Sequence, residues 1–282
     1  MIQRKHGYLA HRDNDDSNPI AGQLERDGFA VVPGVFSAAE IDALRTDIDR
    51  VFDEYPADQR AERPPEAEAM FRYEMLNRSA VCQAAIAHRG ILDVIEPLIG
   101  DDCHVIANTA WRNPANTSAN HGGEAWHIDA GPHIPLAHGT QWPVNIPHPV
   151  FAIGVHIYLT ACGINDGPTG VIPGSHLSGQ TPPPDRLFDD NLRWNNTGVK
   201  PLLAESGDVG FFVSDVWHRR MRTQPGDRGR FFLQAHYGRR DIAQRLHTTE
   251  QSNQLSHDAI SRANSEREKS LIGLHKPFFY DG

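Results

Sequence analysis

The sequence predicts a mainly β domain with flanking helices, a sandwich or barrel that carries long loops. From Cys103 to about residue 240, short β-prone runs alternate with turn residues: HVIANTAW, FAIGVHIYLTA, GVIPG, GDVGFFV and RFFLQAHYG. Val, Ile, Phe and Tyr favour a pleated, half-buried surface, and the Pro and Gly between the runs interrupt it. The residues before Cys103 instead carry apolar side chains at helical spacing. No internal repeat and no linker divides the 282 residues, so they are read as one domain, 1–282, with its β core at about 103–240.

Residues 1–17 are polar and are expected to be flexible. Phe29 to Val32 is a short β-prone run closed by Pro33 and Gly34. Ser37, with Glu40 three residues later, has the form of a capping box, in which each residue satisfies a backbone N–H of the other's end. Ile41, Leu44, Ile48, Val51 and Phe52 follow at helical spacing, so one helix face packs inward. Ala57 to Glu68 is charged, contains Pro and reads as a surface loop. A second helical pattern runs through Val81, Ala85, Ile86, Ile91, Val94, Ile95 and Leu98, broken near Gly90. Within the β region, Gly131 to Pro149 is a long loop rich in Pro and His, and Gln180 to Thr197 is a second, polar one. Long loops in compact domains often close over sites, so these two are expected to shape a pocket, with Trp142 and Trp194 as apolar walls. After Asp241 the chain is polar, with a helix expected around Asp258 to Leu271.

Composition narrows the class. At 39% hydrophobic and 22% charged residues, the chain can bury a core and is not globally disordered. A formal charge of −9 argues against a nucleic-acid partner, which selects a basic stripe. Cys82, Cys103 and Cys162 are odd in number and widely spaced, which fits buried or free thiols in a reducing cytosol. The N-terminus has no apolar signal-peptide stretch, and no segment approaches the about 20 apolar residues of a membrane helix. The expectation is a cytoplasmic protein with no membrane partner.

The chemistry centres on His127-Ile128-Asp129. Residues two apart on a strand point to the same side, so an imidazole and a carboxylate would face one point. Two histidines and a carboxylate on one face, with the remaining positions open, is the donor set of non-haem iron(II) oxygenases. His218, at the end of the apolar run FFVSDVWH, suits the distant third ligand. The pattern alone is weak. His-x-Asp recurs by chance in a chain with 16 histidines, and His11-Arg12-Asp13 is a second match, placed in a polar stretch without strand character. His121, His133, His138 and His148 crowd the nearby loops, so a zinc site is an alternative, although their spacing fits no zinc pattern.

Four motifs in order carry a resemblance. ERDGFAVVPGVFSAAEIDALRTDID, WHID, NDGPTGVIPGSH, and GDVGFFVSDVWHR followed by RGRFFLQAHYG resemble the phytanoyl-CoA dioxygenase family over about Leu24 to Tyr237. The resemblance implies a double-stranded β-helix (a squashed, cupin-like jelly roll), iron(II), 2-oxoglutarate as co-substrate and O2. It makes His127, Asp129 and His218 iron ligands. It also implies an arginine shortly after the distal histidine that grips the far carboxylate of 2-oxoglutarate. Arg228 and Arg230 both qualify; Arg230 is preferred because it opens a strand, whereas Arg228 precedes Gly229 in a turn. A guanidinium suits that task because it donates two parallel hydrogen bonds. Strand alternation puts Gln234 and His236 on the face of Arg230, as pocket-lining candidates. His156, Asn108, Thr109 and Thr169 are candidate co-substrate contacts. His156 departs from the residue usual at its position. Trp126 and Trp217 flank ligands as packing or as substrate walls. Pro173-Gly174-Ser175-His176 and Asp208 are read as turn-forming.

The implied activity is hydroxylation of an unactivated C–H bond in a small metabolite or natural product. Halogenating relatives replace the carboxylate ligand with a small residue, and Asp129 is present. Desaturation, ring closure and endoperoxide formation on the same site are alternatives. A jelly-roll binding module without turnover and a zinc hydrolase are alternatives of another class.

Overall fold

A computed structural model describes residues 18–56, 70–115, 123–129, 131–143, 145–244 and 255–275, together with the backbone of strands Ile2–Lys5 (β1) and Tyr8–Arg12 (β2). β1 and β2 pair antiparallel, where a loose N-terminus was expected. Polar composition argues against a buried face, which a hairpin does not need in order to pair its backbone groups. The loop expected at Ala57 to Glu68 lies outside the described residues, as do Asp13 and His121.

Helix α1 (Pro19–Asp27) was not among the expected elements. Its start is specified locally: the Asn18 side chain accepts from the N–H of Ala21 at 3.0 Å, and Pro19 takes the first turn, where no N–H is needed. Gly28 ends it with φ +81, and a Cβ there would come within 2.8 Å of His176 Nδ1. Helix α2 (Ala38–Glu54) opens on the predicted capping box of Ser37 and Glu40 and buries Ile41, Leu44, Ile48, Val51 and Phe52. Each such side chain contributes about 1.5–3 kcal/mol of transfer free energy. A short helix α3 (Met75–Arg78) precedes α4 (Ala80–Ile86) and α5 (Arg89–Ile99). The break comes at His88, whose Nδ1 accepts from the Gly90 N–H at 3.1 Å. The C-terminal helix expected over 258–271 is two helices, α6 (His257–Arg262) and α7 (Glu266–Leu271). Ser265 and Glu268 form a capping box that starts the second afresh.

The remaining strands are β3 (Phe29–Val32), β4 (Phe71–Tyr73), β5 (His104–Asn113), β6 (Ala152–Tyr158), β7 (Thr169–Val171), β8 (Lys200–Pro201), β9 (Val209–Val213), β10 (His218–Arg220) and β11 (Arg230–Gly238). They form a six-stranded sheet in the order β3-β9-β6-β11-β5-β4 and a three-stranded sheet β10-β7-β8. Every pairing is antiparallel. Two such sheets with flanking helices make the jelly roll that was expected. β3 and β4 come from before Cys103, so the large sheet extends past the predicted core at both edges.

Alternation along the strands divides the large sheet. Ile153, Val155, Ile157, Val209, Phe211, Val213, Phe231, Leu233, Ala235 and Tyr237 pack with the helices in one apolar cluster. The residues between them, including His156, Phe212, Arg230, Phe232 and Gln234, take the other face and line a cavity. A face this polar, buried between sheets, is built for a ligand rather than for packing. Gly154 lies on that face because Phe212 leaves no room beside it: a Cβ would come within 2.3 Å of Phe212 Cζ. The Phe212 ring is itself held 4.7 Å from the His218 ring and 5.1 Å from that of His156. Gly154→Ala is therefore expected to destabilise the fold by about 1–3 kcal/mol through overpacking. Thermal unfolding checks this, and an unshifted midpoint would show that the ring yields freely.

Candidate metal centre

His127 and His218 face each other across an isolated antiparallel bridge, each N–H donating to the other's carbonyl at 3.0 Å. Residues 127–129 are not a continuous strand; the bridge, and the Asp129 N–H donating to Ser214 O at 3.1 Å, keep strand-like alternation locally. His127 Nδ1 lies 2.8 Å from Ala125 O, and His218 Nδ1 lies 2.9 Å from Val216 O. A carbonyl only accepts, so both rings carry their proton on Nδ1 and present a bare Nε2. Asp129 Oδ1 is 3.8 Å from His127 Nε2 and 3.4 Å from His218 Nε2. One donor atom from each of the three lies within 4.8 Å of the others. No other group of three His, Cys, Asp or Glu meets this way among the described residues.

The electrostatics suit a cation. Burial lowers the pKa of His127, and the adjacent His218 ring adds to the effect. Burial opposes the charged form of His218 too, but the Asp129 carboxylate outweighs it and raises the pKa. Burial alone would push Asp129 up, yet His218, His236 and His127 together hold it well below the usual carboxylate range. Asp129 Oδ2 is buried without a hydrogen-bond partner. An ionised carboxylate and two imidazole lone pairs, with no thiolate, fit an open iron(II) site better than a closed structural zinc site. Among the described residues the nearby loop histidines form no metal cluster: His133 pairs with Asp215 at 2.6 Å, and His148 stacks edge-on to His176 at 5.4 Å, while His121 lies outside the described residues.

His236 was expected to line the pocket. It stands behind the carboxylate instead, with Nδ1 3.5 Å from Asp129 Oδ2 and Nε2 2.5 Å from Ser214 Oγ. Alternation gives its face correctly, but its place along the strand puts it beyond the cavity lining. A partner behind a ligand fixes that ligand's orientation. His236→Ala is expected to weaken iron(II) binding by about 10- to 100-fold. Equilibrium dialysis reads this, and unchanged affinity would reduce the ring to packing.

The cavity has a volume of about 710 Å³. Arg230 is 7% exposed and lines it; Nη2 donates to Asn113 Oδ1 at 3.3 Å, and the buried Nε has no partner. Arg228 is engaged elsewhere, 2.7 Å from Asp166 Oδ2 with its side chain 62% exposed. His156 lines the cavity, its ring 4.5 Å from that of Phe232. Burial, then the Arg230 charge, push its pKa down to about 3, so the ring is neutral. Thr169 and Gln234 also line the cavity, and Gln234 Oε1 accepts from Trp111 Nε1 at 3.0 Å. Thr109 pairs with Gln234 on the inward row without reaching the cavity wall. Asn108 corrects the expectation of a contact. It lies on the row of Ala235, and its amide donates to Gln234 O at 2.8 Å, because neighbours on a strand cannot share a face.

The tryptophans are also corrected. Trp126 and Trp217 are next to ligands in sequence and so point away from them. They pack with Ile172 and Leu192, and their indoles donate to Asp189 O and Gln180 O, both at 2.8 Å. Trp142 donates to Ile146 O at 2.7 Å and lies edge-on to His148, away from the cavity wall. The two long loops bind each other rather than the site. Gln180 donates to Leu136 O at 2.9 Å, and Gln141 and Asn195 exchange amide bonds at 3.1 Å. The wall comes instead from Trp111 and the segment 124–129. Ser175 and His176 are turn-forming as read: Ser175 Oγ accepts from Trp217 N at 2.8 Å, and His176 Nε2 bonds Glu25 O at 2.9 Å. Asp208 accepts from Gly34 N and Glu205 N at 2.8 and 2.7 Å.

Sequence reasoning missed Arg220, Glu124, Trp111 and Ser214. Arg220 had a signal: it stands two residues after His218, the same spacing that joins His127 to Asp129.

Residues 24–221 match the phytanoyl-CoA dioxygenase (PhyH) family. Comparison with curated proteins returns no match. The chain is similar to the solved structure of EctD from S. alaskensis, with TM-score 0.64 and 20% identity over 89% of this chain and 88% of that one. It is also similar to HygX from Streptomyces hygroscopicus, crystallised with nickel and 2-oxoglutarate (TM-score 0.60, 16% identity, 86% and 96% covered). A third is SnoN, a non-heme alpha-ketoglutarate-dependent epimerase from nogalamycin biosynthesis (TM-score 0.57, 18% identity, 78% and 82% covered). At these identities the likeness is one of fold.

Proposed function

The chain belongs to the phytanoyl-CoA dioxygenase family of iron(II)- and 2-oxoglutarate-dependent oxygenases, and on that premise we propose that it hydroxylates an unactivated C–H bond of a small metabolite or natural product, with His127, Asp129 and His218 as the iron ligands. The observation that carries the assignment is the convergence of two bare Nε2 atoms and one ionised carboxylate at the cavity wall. Iron(II), once bound, supplies the oxidation, in which 2-oxoglutarate and O2 are consumed and succinate and carbon dioxide released.

The protein's own residues bind, orient and exclude water. The carbonyls of Ala125 and Val216 hold the Nδ1 protons of His127 and His218, so that Nε2 of each ring is the atom that would face the metal. Asp129 brings the one negative charge of the donor set, and the His236 ring, fixed by Ser214, stands 3.5 Å from its outer oxygen. Arg230 is placed to bind the far carboxylate of 2-oxoglutarate, with a buried Nε that has no partner and no acidic side chain paired to it among the described residues. His156 stays neutral and, with Phe212 and Phe232, keeps that end of the cavity dry.

HygX has been crystallised with hygromycin B and SnoN with nogalamycin RO, which supports a small-molecule substrate here. Among structures of the same fold are an epimerase and a carbocyclase, so the fold does not select hydroxylation; Asp129 argues against halogenation, and desaturation or ring closure on the same site is the alternative outcome. Three buried, unpaired cysteines support a cytoplasmic location, and no helix among the described residues is long and apolar enough to cross a membrane.

The test is succinate release by the purified protein supplied with iron(II), 2-oxoglutarate and a metabolite panel. Release should require oxygen and be blocked by a 2-oxoglutarate analogue. Turnover that persists without oxygen, or ignores the analogue, would contradict the proposal.

A further inference from the structure

We infer that the side-chain amide of Gln234 recognises the molecule that is oxidised, and that the group it binds is a carbonyl oxygen, as in an amide, lactam or ester. This rests on the iron and 2-oxoglutarate assignment above and adds to it the chemistry of the second substrate.

Gln234 is the one residue of β11 that is not buried. It keeps that access because its side chain forms part of the cavity wall. Its Oε1 accepts from Trp111 Nε1 at 3.0 Å. An indole N–H only donates, so this contact decides which end of the amide is oxygen. The NH2 end is left over, with two donors and no partner among the described residues. Trp111 is held in turn: its ring centre lies 4.8 Å from that of Phe71 on β4 and 6.2 Å from that of Phe232, nearly parallel to it at 11°. Turning the amide over would set an N–H against the indole N–H and lose the bond. The wall therefore presents its donors in a fixed direction before any ligand arrives, which spares the ordering cost on binding.

Placement and charge select the ligand. Along β11, Gln234 stands about 13 Å from Arg230 and about 7 Å from His236, the ring behind Asp129. The two ends of 2-oxoglutarate are assigned to the metal and to Arg230, which leaves the Gln234 donors for the second molecule. Glu124 lines the same cavity without an ion pair among the described residues, and Asp129 is ionised. A further anion beside these carboxylates would be repelled, so an uncharged donor is matched here by an uncharged acceptor. A carbonyl oxygen accepts on two lone pairs and brings no proton that this wall would leave unmatched. Trp111 and Phe232 add flat apolar surface next to the amide, against which a planar carbonyl group can lie.

The test is an NMR titration of the full chain holding 2-oxoglutarate and zinc(II), a diamagnetic stand-in for iron(II). The probes are 2-piperidone and piperidine-2-thione, the same ring with oxygen replaced by sulfur, a weak acceptor. In the wild type, 2-piperidone should move the Gln234 side-chain N–H signals, assigned by their absence from Gln234→Glu, and the Trp111 indole N–H; the thione should move them far less. Gln234→Glu keeps an oxygen for Trp111 but turns the cavity-facing donors into an acceptor. It should weaken 2-piperidone by about 10-fold or more while still binding 2-oxoglutarate, which also shows that it is folded. Equal responses to the two probes, or no response at Gln234, overturn the inference on the wild type alone. So does a Gln234→Glu variant that holds 2-piperidone as the wild type does, or one that loses 2-oxoglutarate, which would place Gln234 in the co-substrate site. If the wild type itself binds no 2-oxoglutarate, the parent assignment falls and takes the inference with it.

Discussion

His218→Ala is expected to abolish oxygen-dependent succinate release, with a loss greater than about 100-fold. Removing a partner behind a ligand costs about 10- to 100-fold in metal affinity, and removing the ligand itself costs more. The bridge to His127 is made by the backbone, so it survives the substitution and the neighbouring segment stays docked. The loss should therefore be of iron affinity and turnover, with the circular dichroism spectrum retained. Turnover near the wild-type rate would remove His218 from the site.

Arg230→Ala is the second large effect. Its guanidinium is buried, lines the cavity, and has an Nε without a partner. Hydrogen bonds to a charged group contribute about 1.5–3 kcal/mol each, so losing a two-pronged contact should raise the apparent KM for 2-oxoglutarate by about 100-fold. The rate at saturating co-substrate should fall much less, because Arg230 holds the end of the molecule remote from the reacting bond. An unchanged KM would take the carboxylate away from Arg230. Arg228 could not easily replace it, since the Asp166 carboxylate occupies its guanidinium at the surface.

The parts of this site that sequence made visible are those set by local rules. The Ser37–Glu40 capping box, the strand runs and the His-x-Asp spacing each depend on residues close in the chain, and each is present. Arg230 lines the cavity and Arg228 does not, a difference of position that strand against turn made visible. What went astray depends on distant partners. The loops 131–149 and 180–197 look like lids because they are long and rich in Pro, yet their polar groups pair with one another. Trp126 and Trp217 look like substrate walls because they adjoin ligands, but adjacency on a strand means opposite faces. The same rule, applied to His218, would have singled out Arg220. Helix α1 was hidden because only Ala21 and Leu24 of its residues are buried, too few to give a periodic signal. His236 could not be placed behind Asp129 from sequence, because the register of β11 against its neighbours decides where along the sheet it falls.

The most direct test of the central assignment is anomalous diffraction at the iron edge from crystals grown anaerobically with iron(II). One peak is expected, in bonding contact with Nε2 of His127, Nε2 of His218 and a carboxylate oxygen of Asp129. A peak held by other side chains, or a closed four-ligand centre among the loop histidines, would contradict it.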